Sequence, residues 1–293
     1  MLIMQTLLFV PGNQERRMEK VRTVPADGLI LDLEDSVPPS EKESARKTAS
    51  GAIKELASAG QEVFVRINSL QTNDAVPDMK AVVNPGLRGI VLPKSESVDD
   101  IRKADDLITN AEKGSGLGEG SVRLLALIET PKGIINAYEV ASASSRILGA
   151  TFGAEDYALE MGINRTKEGN EIYYPRMVIA LACHAANVLA IDCVYTDVRD
   201  TEGLIKETKL VAQMGFQGKL VIHPDQVGPV NQLFTPSGEE ITQARRVVEA
   251  FEVAMAQGQA STALDGKMID APVAERARQL ISRAESVAKK GGG

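Results

Sequence analysis

Short apolar runs alternate with amphipathic stretches along the whole chain. The apolar runs are nearly continuous, which is typical of parallel β-strands covered on both faces. Eight such runs predict strands, and they are Thr6–Val10, Gly28–Asp35, Glu62–Asn68, Gly89–Lys94, Arg123–Thr130, Ile147–Gly153, Ala190–Asp197 and Lys219–His223.

The stretches between these strands have the apolar spacing of helices. Residues 40–58 begin with Ser40 three positions before Glu43, which is the spacing of a capping box. Residues 236–258 carry apolar side chains every three or four positions and end at Gly258. Eight strands that alternate with helices predict an α/β fold, the (β/α)8 or TIM barrel.

A doubly wound open sheet is the alternative fold. That fold commonly carries a Gly-x-Gly-x-x-Gly motif after its first strand, and no such motif follows Thr6–Val10. The glycine-rich stretch at residues 111–120 precedes a predicted strand, so in a barrel it lies on the face opposite the catalytic loops. We therefore interpret it as a flexible surface connection.

Composition narrows the functional classes. The 293 residues are 43% hydrophobic and 25% charged, as in ordinary globular proteins of one large barrel or two smaller domains. A net charge of −7, with no tryptophan and 4% aromatic residues, argues against a nucleic-acid partner.

No apolar run is long enough to span a bilayer, and residues 1–13 resemble a first strand more than a signal peptide. Cys183 and Cys193 are expected to be free thiols of a cytoplasmic protein.

Polar residues follow every predicted strand. The strand ends read VPGN, DLED, RIN, PK, ET, GAED, YTD and IHPD. The carboxyl ends of barrel strands meet at one mouth, so residues far apart in the sequence become neighbours there. Glu129, at the end of an apolar run, therefore lies at the rim of a pocket and is not left unpaired in the core.

Glu129 and Asp156 are the candidate metal ligands. They follow the fifth and sixth strands, and neighbouring strands lie about 5 Å apart. Carboxylate oxygens without histidine or cysteine favour Mg²⁺ or Mn²⁺. The alternative for Glu129 is a salt-bridged carboxylate at the rim. Glu155, beside Asp156, is easily confused with the ligand and is equally suited to a capping or pairing role.

Arg66 is the candidate anion-binding residue. It ends the third strand, where a guanidinium suits a carboxylate, an enolate or a thioester oxygen. The alternative is an ion pair with the acidic residues at the end of the second strand, and Arg66 can have both roles at once. We expect Asp32, Glu34 and Asp35 to orient Arg66 and Lys94.

The two histidines are weaker candidates for catalytic residues. His223, at the end of the eighth strand, is either a general base or a structural residue. His184 lies within a predicted helix, and we expect it to be a packing residue.

Eight stretches of the chain resemble one family in order and over nearly the whole length. They are LFVPGNQERRMEK, DGLILDLEDSVPPSEKESAR, VFVRINS, LPKSES, IETPKGIINA, GAEDYALEMG, AIDCVYTDVRD and GFQGKLVIHPDQ. The chain resembles the citrate lyase β-subunit-like proteins of the HpcH/HpaI aldolase superfamily, which includes malyl-CoA and citramalyl-CoA lyases. The resemblance implies a TIM-barrel catalytic domain at residues 1–258 and a C-terminal helical extension, with a lid segment and a helix, at residues 259–293.

The same resemblance implies roles for individual residues. Glu129 and Asp156 match metal ligands, and Glu129 also contacts substrate. Arg66 matches a catalytic residue that contacts the substrate near the thioester and the reacting carboxylate.

Other matched positions concern the carrier arm of the substrate and proton transfer. Lys20, Ile191 and Asp192 match positions that contact a CoA-type arm. Asp270, within GKMIDAP, matches an acid/base whose segment covers the site of a neighbouring subunit in acyl-CoA lyases. From the sequence pattern alone, Asp270 is a helix N-cap before Pro272.

The resemblance therefore implies an oxo-acid lyase that uses Mg²⁺, with Mn²⁺ as a substitute. The leading hypothesis is reversible cleavage of a 3-hydroxyacyl thioester, such as malyl-CoA or citramalyl-CoA, to acetyl-CoA and a 2-keto acid. Its partners are then these small molecules and further copies of the chain in a homotrimer or hexamer, with no nucleic acid or membrane.

Two other functional hypotheses remain. The first is a citrate lyase β subunit that cleaves a citryl group on an acyl-carrier protein to oxaloacetate and an acetyl-carrier protein. The second is a non-catalytic barrel that binds thioesters or proteins.

Overall fold

The computed structural model describes residues 3–291, which form two compact units. The first unit comprises residues 4–231, and the second comprises residues 232–291 with Ile3. The stretch 259–293, assigned to a lid segment and helix, falls in the second unit, except that Gly292 and Gly293 lie outside the described residues. Helix 238–256, within the predicted barrel domain, also belongs to the second unit.

Eight parallel strands form a closed barrel in the first unit. Neighbours in sequence are neighbours in the sheet, and β1 pairs with β8 to close it. This confirms the predicted barrel over the open sheet. The strands are β1 (Thr6–Pro11), β2 (Gly28–Asp32), β3 (Val63–Arg66), β4 (Leu87–Leu92), β5 (Arg123–Ile128), β6 (Ile147–Phe152), β7 (Leu189–Asp192) and β8 (Gly218–Val221).

Helices connect the barrel strands, and one more follows β8. They are α1 (Glu15–Val21), α2 (Lys42–Ser58), α3 (Ala75–Val82), α4 (Val98–Gly114), α5 (Pro131–Ile135), α6 (Ala137–Ser142), α7 (Ala154–Met161), α8 (Tyr173–Ala185), α9 (Thr201–Gln213) and α10 (Pro224–Phe234). Within residues 3–291, no helix combines the length and the apolar composition that crossing a bilayer requires.

The barrel interior is filled by apolar side chains, with buried ones from seven strands and the partly buried Leu148 of β6 packed against them. This core includes Leu7, Ile30, Phe64, Val91, Leu125, Ile191 and Leu220. Side chains alternate between the two faces of a strand, so the residue that follows a core residue points outward toward the helices. Ile191 therefore lies inside the barrel, and Asp192 faces away from it.

Several predicted boundaries were wrong at the polar ends. β2 ends at Asp32 and β3 at Arg66, so the remaining residues of the predicted runs lie in loops. The predicted Ser40–Glu43 capping box does not form, because Pro39–Glu41 makes a 3-10 turn and α2 begins only at Lys42. Proline fixes its own φ angle, which suits the start of such a turn.

A buried ionic cluster lies between β7, β8 and the helices outside them. The Asp192 carboxylate, fully buried, accepts hydrogen bonds from Arg176 Nε at 2.8 Å and Lys219 Nζ at 2.5 Å. Lys219 Nζ also lies 2.7 Å from Glu207 Oε1. Burial alone would raise the pKa of Asp192, but Arg176 and Lys219 hold this pKa below its ordinary value. Cys193 contacts Arg176, and both cysteines are free thiols as predicted.

The second unit contains α11 (Gly238–Ala256), the two-stranded sheet β9 (Thr262–Leu264) and β10 (Lys267–Ile269), and α12 (Ala271–Gly291). Asp265 and Gly266 join the strands with φ angles of 51° and 75°, as a two-residue hairpin turn of the Asp-Gly type requires. Asp270 follows β10, and its Oδ1 accepts from Val273 N at 3.2 Å. Its carboxylate therefore caps α12, as the sequence pattern predicted.

We predict that Lys219→Met destabilises the protein strongly. Removing one partner of a buried ionic group leaves uncompensated charge and costs about 3–5 kcal/mol. Urea unfolding followed by circular dichroism measures the free energy of unfolding. Lys209→Met, at an exposed position of the neighbouring helix α9, is the matched control and should change stability by no more than about 0.5 kcal/mol. Equal stability of the two variants would contradict the role given to the cluster.

Candidate active site

A cavity of about 440 Å³ opens at the carboxyl ends of the barrel strands. Its lining includes Arg66, Glu129 and Asp156, three residues that the sequence singled out. They come from the ends of β3 and β5 and from the first turn of α7. Barrel closure thus brings together residues that are distant in the chain.

Arg66 is held by the acidic end of β2. It pairs in register with Asp32, and its Nε and Nη2 each donate to one Asp32 oxygen at 2.7 Å. Its Nη1 lies 3.2 Å from carboxylate oxygens of both Glu34 and Asp35. The Phe9 ring lies beneath the guanidinium, with its centroid 5.0 Å from Cζ. Arg66 both forms ion pairs and lines the cavity, so the ion pair and a role in anion binding are compatible.

The charges around Arg66 keep it a permanent cation. Burial opposes that charge, but Asp32 and then Glu34 raise the pKa of Arg66 above its ordinary value. Burial alone would raise the pKa of Asp32, but the neighbouring Arg66 guanidinium brings it below its ordinary value. Glu34 differs, because burial raises its pKa to about 7 in spite of Arg66. The three carboxylates of Asp32, Glu34 and Asp35 therefore outnumber the single positive charge of Arg66.

Glu129 is a buried carboxylate without a cationic partner. It follows β5, is only 2% exposed, and its Oε1 accepts from the Lys94 amide at 2.8 Å. Within residues 3–291 it forms no salt bridge, which rules against the salt-bridged alternative. Burial first, and then the charges of Asp156 and Glu34, raise the pKa of Glu129 to about 8.

Lys94 is positioned by an unusual backbone conformation. Its φ angle is 51°, in the left-handed region that side chains other than glycine rarely adopt. Such strain persists where the surroundings impose it, and it is common at functional sites. Here it accompanies the hydrogen bond from the Lys94 amide to Glu129. The sequence had predicted that Lys94 would be oriented by the acidic loop after β2; instead it helps to orient Glu129.

Gly153 leaves the space that Glu129 occupies. A Cβ atom at Gly153 would lie 2.5 Å from Glu129 Oε2 and closer still to Glu129 Cβ. The Gly153 amide also donates to Ile128 O at 2.9 Å, which joins the ends of β5 and β6. Only glycine therefore allows the observed position of the Glu129 side chain.

Asp156 faces the same cavity from α7. Burial, and then the charge of Asp35, raise the pKa of its carboxyl, while Lys94 and Arg66 oppose the rise. The neighbouring Glu155 instead pairs with Arg165 at 2.8 Å. The structure therefore separates the two acidic residues, with Glu155 in an ion pair and Asp156 without one among residues 3–291.

Glu129 and Asp156 fit a divalent cation. Both present oxygen atoms to one cavity, and each lacks a cationic partner among the described residues. Hard oxygen ligands suit Mg²⁺ and Mn²⁺, whose charge would remove the repulsion between the two carboxylates.

A second group has the spacing of metal ligands but the wrong charge balance. Ligand atoms of Asp192, Cys193 and Glu207 lie within 4.8 Å of one another. Arg176 and Lys219 already contact both carboxylates at 2.5–3.0 Å. Because these cations already compensate the acidic charge, this group does not fit a further cation.

Three residues that the resemblance assigned to the substrate are not among the described residues lining the cavity. Lys20 is exposed in the last turn of α1. Ile191 is fully buried in the barrel core, and the buried Asp192 carboxylate is bound by Arg176 and Lys219. The side chains of Ile191 and Asp192 therefore offer no surface to a substrate, and we leave them out of the proposed site.

The remaining candidates have the following positions. Asp270 belongs to the second unit, where it caps α12, and its acid/base role stays a prediction. His223 is 46% exposed, with its Nδ1 3.4 Å from Asp225. His184 is exposed near the end of α8 and lies 2.8 Å from Gly215 O, so the prediction of a packed mid-helix residue was wrong.

Among the cavity residues that the sequence analysis did not single out are Phe9, Arg17, Gly153 and Ile222. Gly153 and Ile222 directly follow β6 and β8, which is the signal that could have identified them. Arg17 is exposed on α1 and forms no salt bridge among residues 3–291.

We predict that Gly153→Ala weakens divalent-cation binding while the fold persists. The added methyl group must displace Glu129 from its position beside the cavity, and we expect the loss of binding free energy to be about 1–3 kcal/mol, or roughly 5- to 150-fold in affinity. Titration calorimetry with MnCl₂ measures the affinity, and thermal unfolding checks the fold. The matched control is Gly51→Ala, because a Cβ atom there meets nothing within 4 Å on α2. Unchanged affinity in Gly153→Ala would contradict this account of Glu129.

Comparisons with known proteins agree with one another over most of the chain. The profile of the family described as HpcH/HpaI aldolase/citrate lyase matches residues 5–224. Citrate lyase subunit beta of Escherichia coli (strain K12) is 40% identical over 281 residues, 96% of this chain and 93% of that protein. The mitochondrial citramalyl-CoA lyase of Homo sapiens is 32% identical over 296 residues, 98% of this chain and 87% of that protein.

A solved structure is similar over nearly the same length. It is CitE from Mycobacterium tuberculosis in complex with magnesium, acetoacetate and coenzyme A. Its TM-score is 0.78 at 31% identity, and the match covers 96% of this chain and 98% of that one.

Proposed function

The chain belongs to the HpcH/HpaI aldolase/citrate lyase family, and we propose that it is a Mg²⁺-dependent carbon–carbon lyase acting on 3-hydroxyacyl thioesters. The products would be an acetyl thioester and a 2-keto acid, with malyl-CoA and citramalyl-CoA as the leading substrates. One observation carries the proposal: a buried arginine and two carboxylates without cationic partners line a single cavity. The relatives named above as lyases, and the similar structure with magnesium and coenzyme A, support it.

Glu129 and Asp156 would hold the Mg²⁺ ion, which supplies a Lewis acid for the carboxylate and hydroxyl oxygens of the substrate. Lys94 N and the space left by Gly153 position the Glu129 side chain, and the first turn of α7 carries Asp156. Ligands positioned in this way keep their geometry without the entropy cost of ordering at each turnover.

Arg66 would stabilise the charge that develops during cleavage. When the bond between the hydroxyl-bearing carbon and the acetyl carbon breaks, its electron pair moves to the thioester and forms an enolate. A guanidinium fixed beside that oxygen stabilises the negative charge in a site shielded from water. The bidentate contact with Asp32 keeps Arg66 in place before the substrate arrives.

The reaction also moves one proton, in net terms from the substrate hydroxyl to the acetyl carbon. We assign delivery of the proton to carbon to Asp270, as the family resemblance implies. In this structure the Asp270 carboxylate caps α12 with a single backbone hydrogen bond at 3.2 Å. The amide oxygen of an asparagine can accept the same capping hydrogen bond but does not transfer a proton. Asp270→Asn should for this reason preserve cation binding and lower the rate of the chemical step.

A second candidate is a citrate lyase β subunit that acts on citryl groups carried by an acyl-carrier protein. The higher identity to citrate lyase subunit beta, 40% against 32% for citramalyl-CoA lyase, favours it. Both candidates use the same catalytic groups and differ in the carrier and in the keto acid released. The isolated chain would act on free CoA esters only under the leading proposal.

We predict that the purified protein with Mg²⁺ releases a 2-keto acid from at least one of malyl-, citramalyl- and citryl-CoA. Mass spectrometry of the products identifies the keto acid. Glu129→Gln and Asp156→Asn should each lower kcat/KM by about 10²–10⁴-fold, because loss of a metal ligand removes several kcal/mol of charge stabilisation. Glu139→Gln, at an exposed position on α6, is the matched control and should keep full activity.

Two results separate the hypotheses. Release of oxaloacetate only from a citryl-carrier protein would favour the second candidate. Absence of keto acid from every thioester would contradict both lyases and favour the non-catalytic binding barrel.

A further inference from the structure

A second cavity, of about 420 Å³, lies among the helices outside the barrel, between α9 and the loop that precedes α8. We call it the outer cavity. None of its lining residues also lines the active-site cavity, so the two are separate. Its volume falls within the range of small-molecule sites. The charged side chains of its lining are Lys167, Glu168, Arg176, Lys206, Glu207 and Lys209.

Arg176 has one guanidinium nitrogen without a partner. Its Nε and Nη2 donate to the Asp192 carboxylate at 2.8 and 3.0 Å, and Nη2 also contacts Cys193 Sγ at 3.1 Å. Its Nη1 donates to no group of residues 3–291, although the side chain is only 1% exposed. Buried N–H donors are hydrogen-bonded as a rule, because an unpaired one is costly. Nη1 therefore calls for an acceptor.

This nitrogen faces one wall of the outer cavity. A Cβ atom at Gly169 would lie 3.5 Å from Nη1, and Gly169 directly follows the cavity-lining Glu168. An acceptor bound in the outer cavity is thus within reach of Nη1, whereas the other guanidinium nitrogens are already paired with Asp192.

Two further charged side chains of the lining are compensated within the protein. Glu207 contacts Arg176 Nη2 at 3.0 Å and Lys219 Nζ at 2.7 Å. Lys167 Nζ lies 2.6 Å from Asp200 Oδ2. These pairs leave neither Glu207 to repel an anion strongly nor Lys167 to bind one alone.

Two lysines remain available to a ligand. Lys206 and Lys209 are exposed, lie three residues apart on one face of α9, and form no ion pair in the described part of the chain. Glu168 is the one lining carboxylate that also lacks an ion pair there, so unpaired cations outnumber unpaired carboxylates. The chain as a whole carries a net charge of −7, and the outer cavity is a local reversal of that sign.

These donors select the chemical class of the ligand. Guanidinium and ammonium groups together bind carboxylates and phosphates, the guanidinium by its N–H donors and the ammonium groups as point charges. A ligand with two or more such groups can use Arg176 and the two lysines at once. Leu210 and the aliphatic stems of the lysines add apolar surface, which accommodates a small carbon skeleton.

We propose that the outer cavity binds a small molecule with at least two carboxylate or phosphate groups. One group accepts from Arg176 Nη1, and another lies between the ammonium groups of Lys206 and Lys209. This binding is separate from the thioester site and does not depend on the lyase activity proposed above.

Titration calorimetry with sodium pyrophosphate and with sodium tricarballylate, at constant ionic strength, tests this proposal. The protein is kept free of divalent cations, because pyrophosphate chelates them. The wild type should bind at least one of the two probes, and Lys206→Met/Lys209→Met should bind it at least about tenfold more weakly. Lys54→Met/Lys103→Met is the matched control, because these exposed lysines lie on α2 and α4, outside the cavity. It should keep wild-type affinity.

A variant with the opposite expected effect covers the case in which loss of the lysines disturbs the fold. Glu168→Gln removes a carboxylate that repels the ligand, so its affinity should rise about twofold or more. Glu139→Gln, at an exposed position on α6, is its control and should leave the affinity unchanged.

The relative affinity of the two probes identifies the chemistry of the ligand. Tighter binding of pyrophosphate indicates a phosphate ligand, and tighter binding of tricarballylate indicates a polycarboxylate. A wild type that binds neither probe would overturn the proposal. So would equal affinity of the wild type and a folded Lys206→Met/Lys209→Met variant, or an affinity that does not rise in Glu168→Gln.

Discussion

Glu129 is buried at the mouth of the barrel without a neutralising cation among the described residues, and the candidate site is built around that constraint. A carboxylate that is 2% exposed is costly unless something compensates it. The chain supplies one amide hydrogen bond, from Lys94, and a space that only glycine at position 153 leaves open. These features hold the side chain in place but do not neutralise it, and burial with two neighbouring carboxylates raises its pKa to about 8. A divalent cation between Glu129 and Asp156 would resolve this imbalance.

Charge balance distinguishes the two acidic groups of the molecule better than spacing does. Asp192 is buried more completely than Glu129, yet its pKa is lowered, because Arg176 and Lys219 outweigh the effect of burial. The pKa of Glu129 is raised, because no comparable cation contacts it. The group around Asp192 therefore stabilises the fold, whereas the group around Glu129 suits a ligand. Ligand spacing alone would have selected Asp192, Cys193 and Glu207.

The sequence predicted the fold, and it predicted that Arg66, Glu129 and Asp156 would meet at one end of the barrel, because both follow from the order of apolar runs and polar strand ends. Eight apolar runs followed by polar residues define a barrel mouth, and the structure places Arg66, Glu129 and Asp156 there. Ile191 and Asp192, which only the family resemblance assigned to the substrate, do not line the cavity. Adjacent strand residues point to opposite faces, so the Ile191 side chain lies in the barrel interior while the next side chain, Asp192, lies in the helix layer.

Other features of the site depend on contacts that the sequence does not encode locally. The left-handed backbone of Lys94 and the need for glycine at position 153 arise from atoms that meet only after the barrel closes. The same holds for Glu155 and Asp156, which are adjacent in sequence. Arg165 pairs with the first, and the second is left facing the cavity.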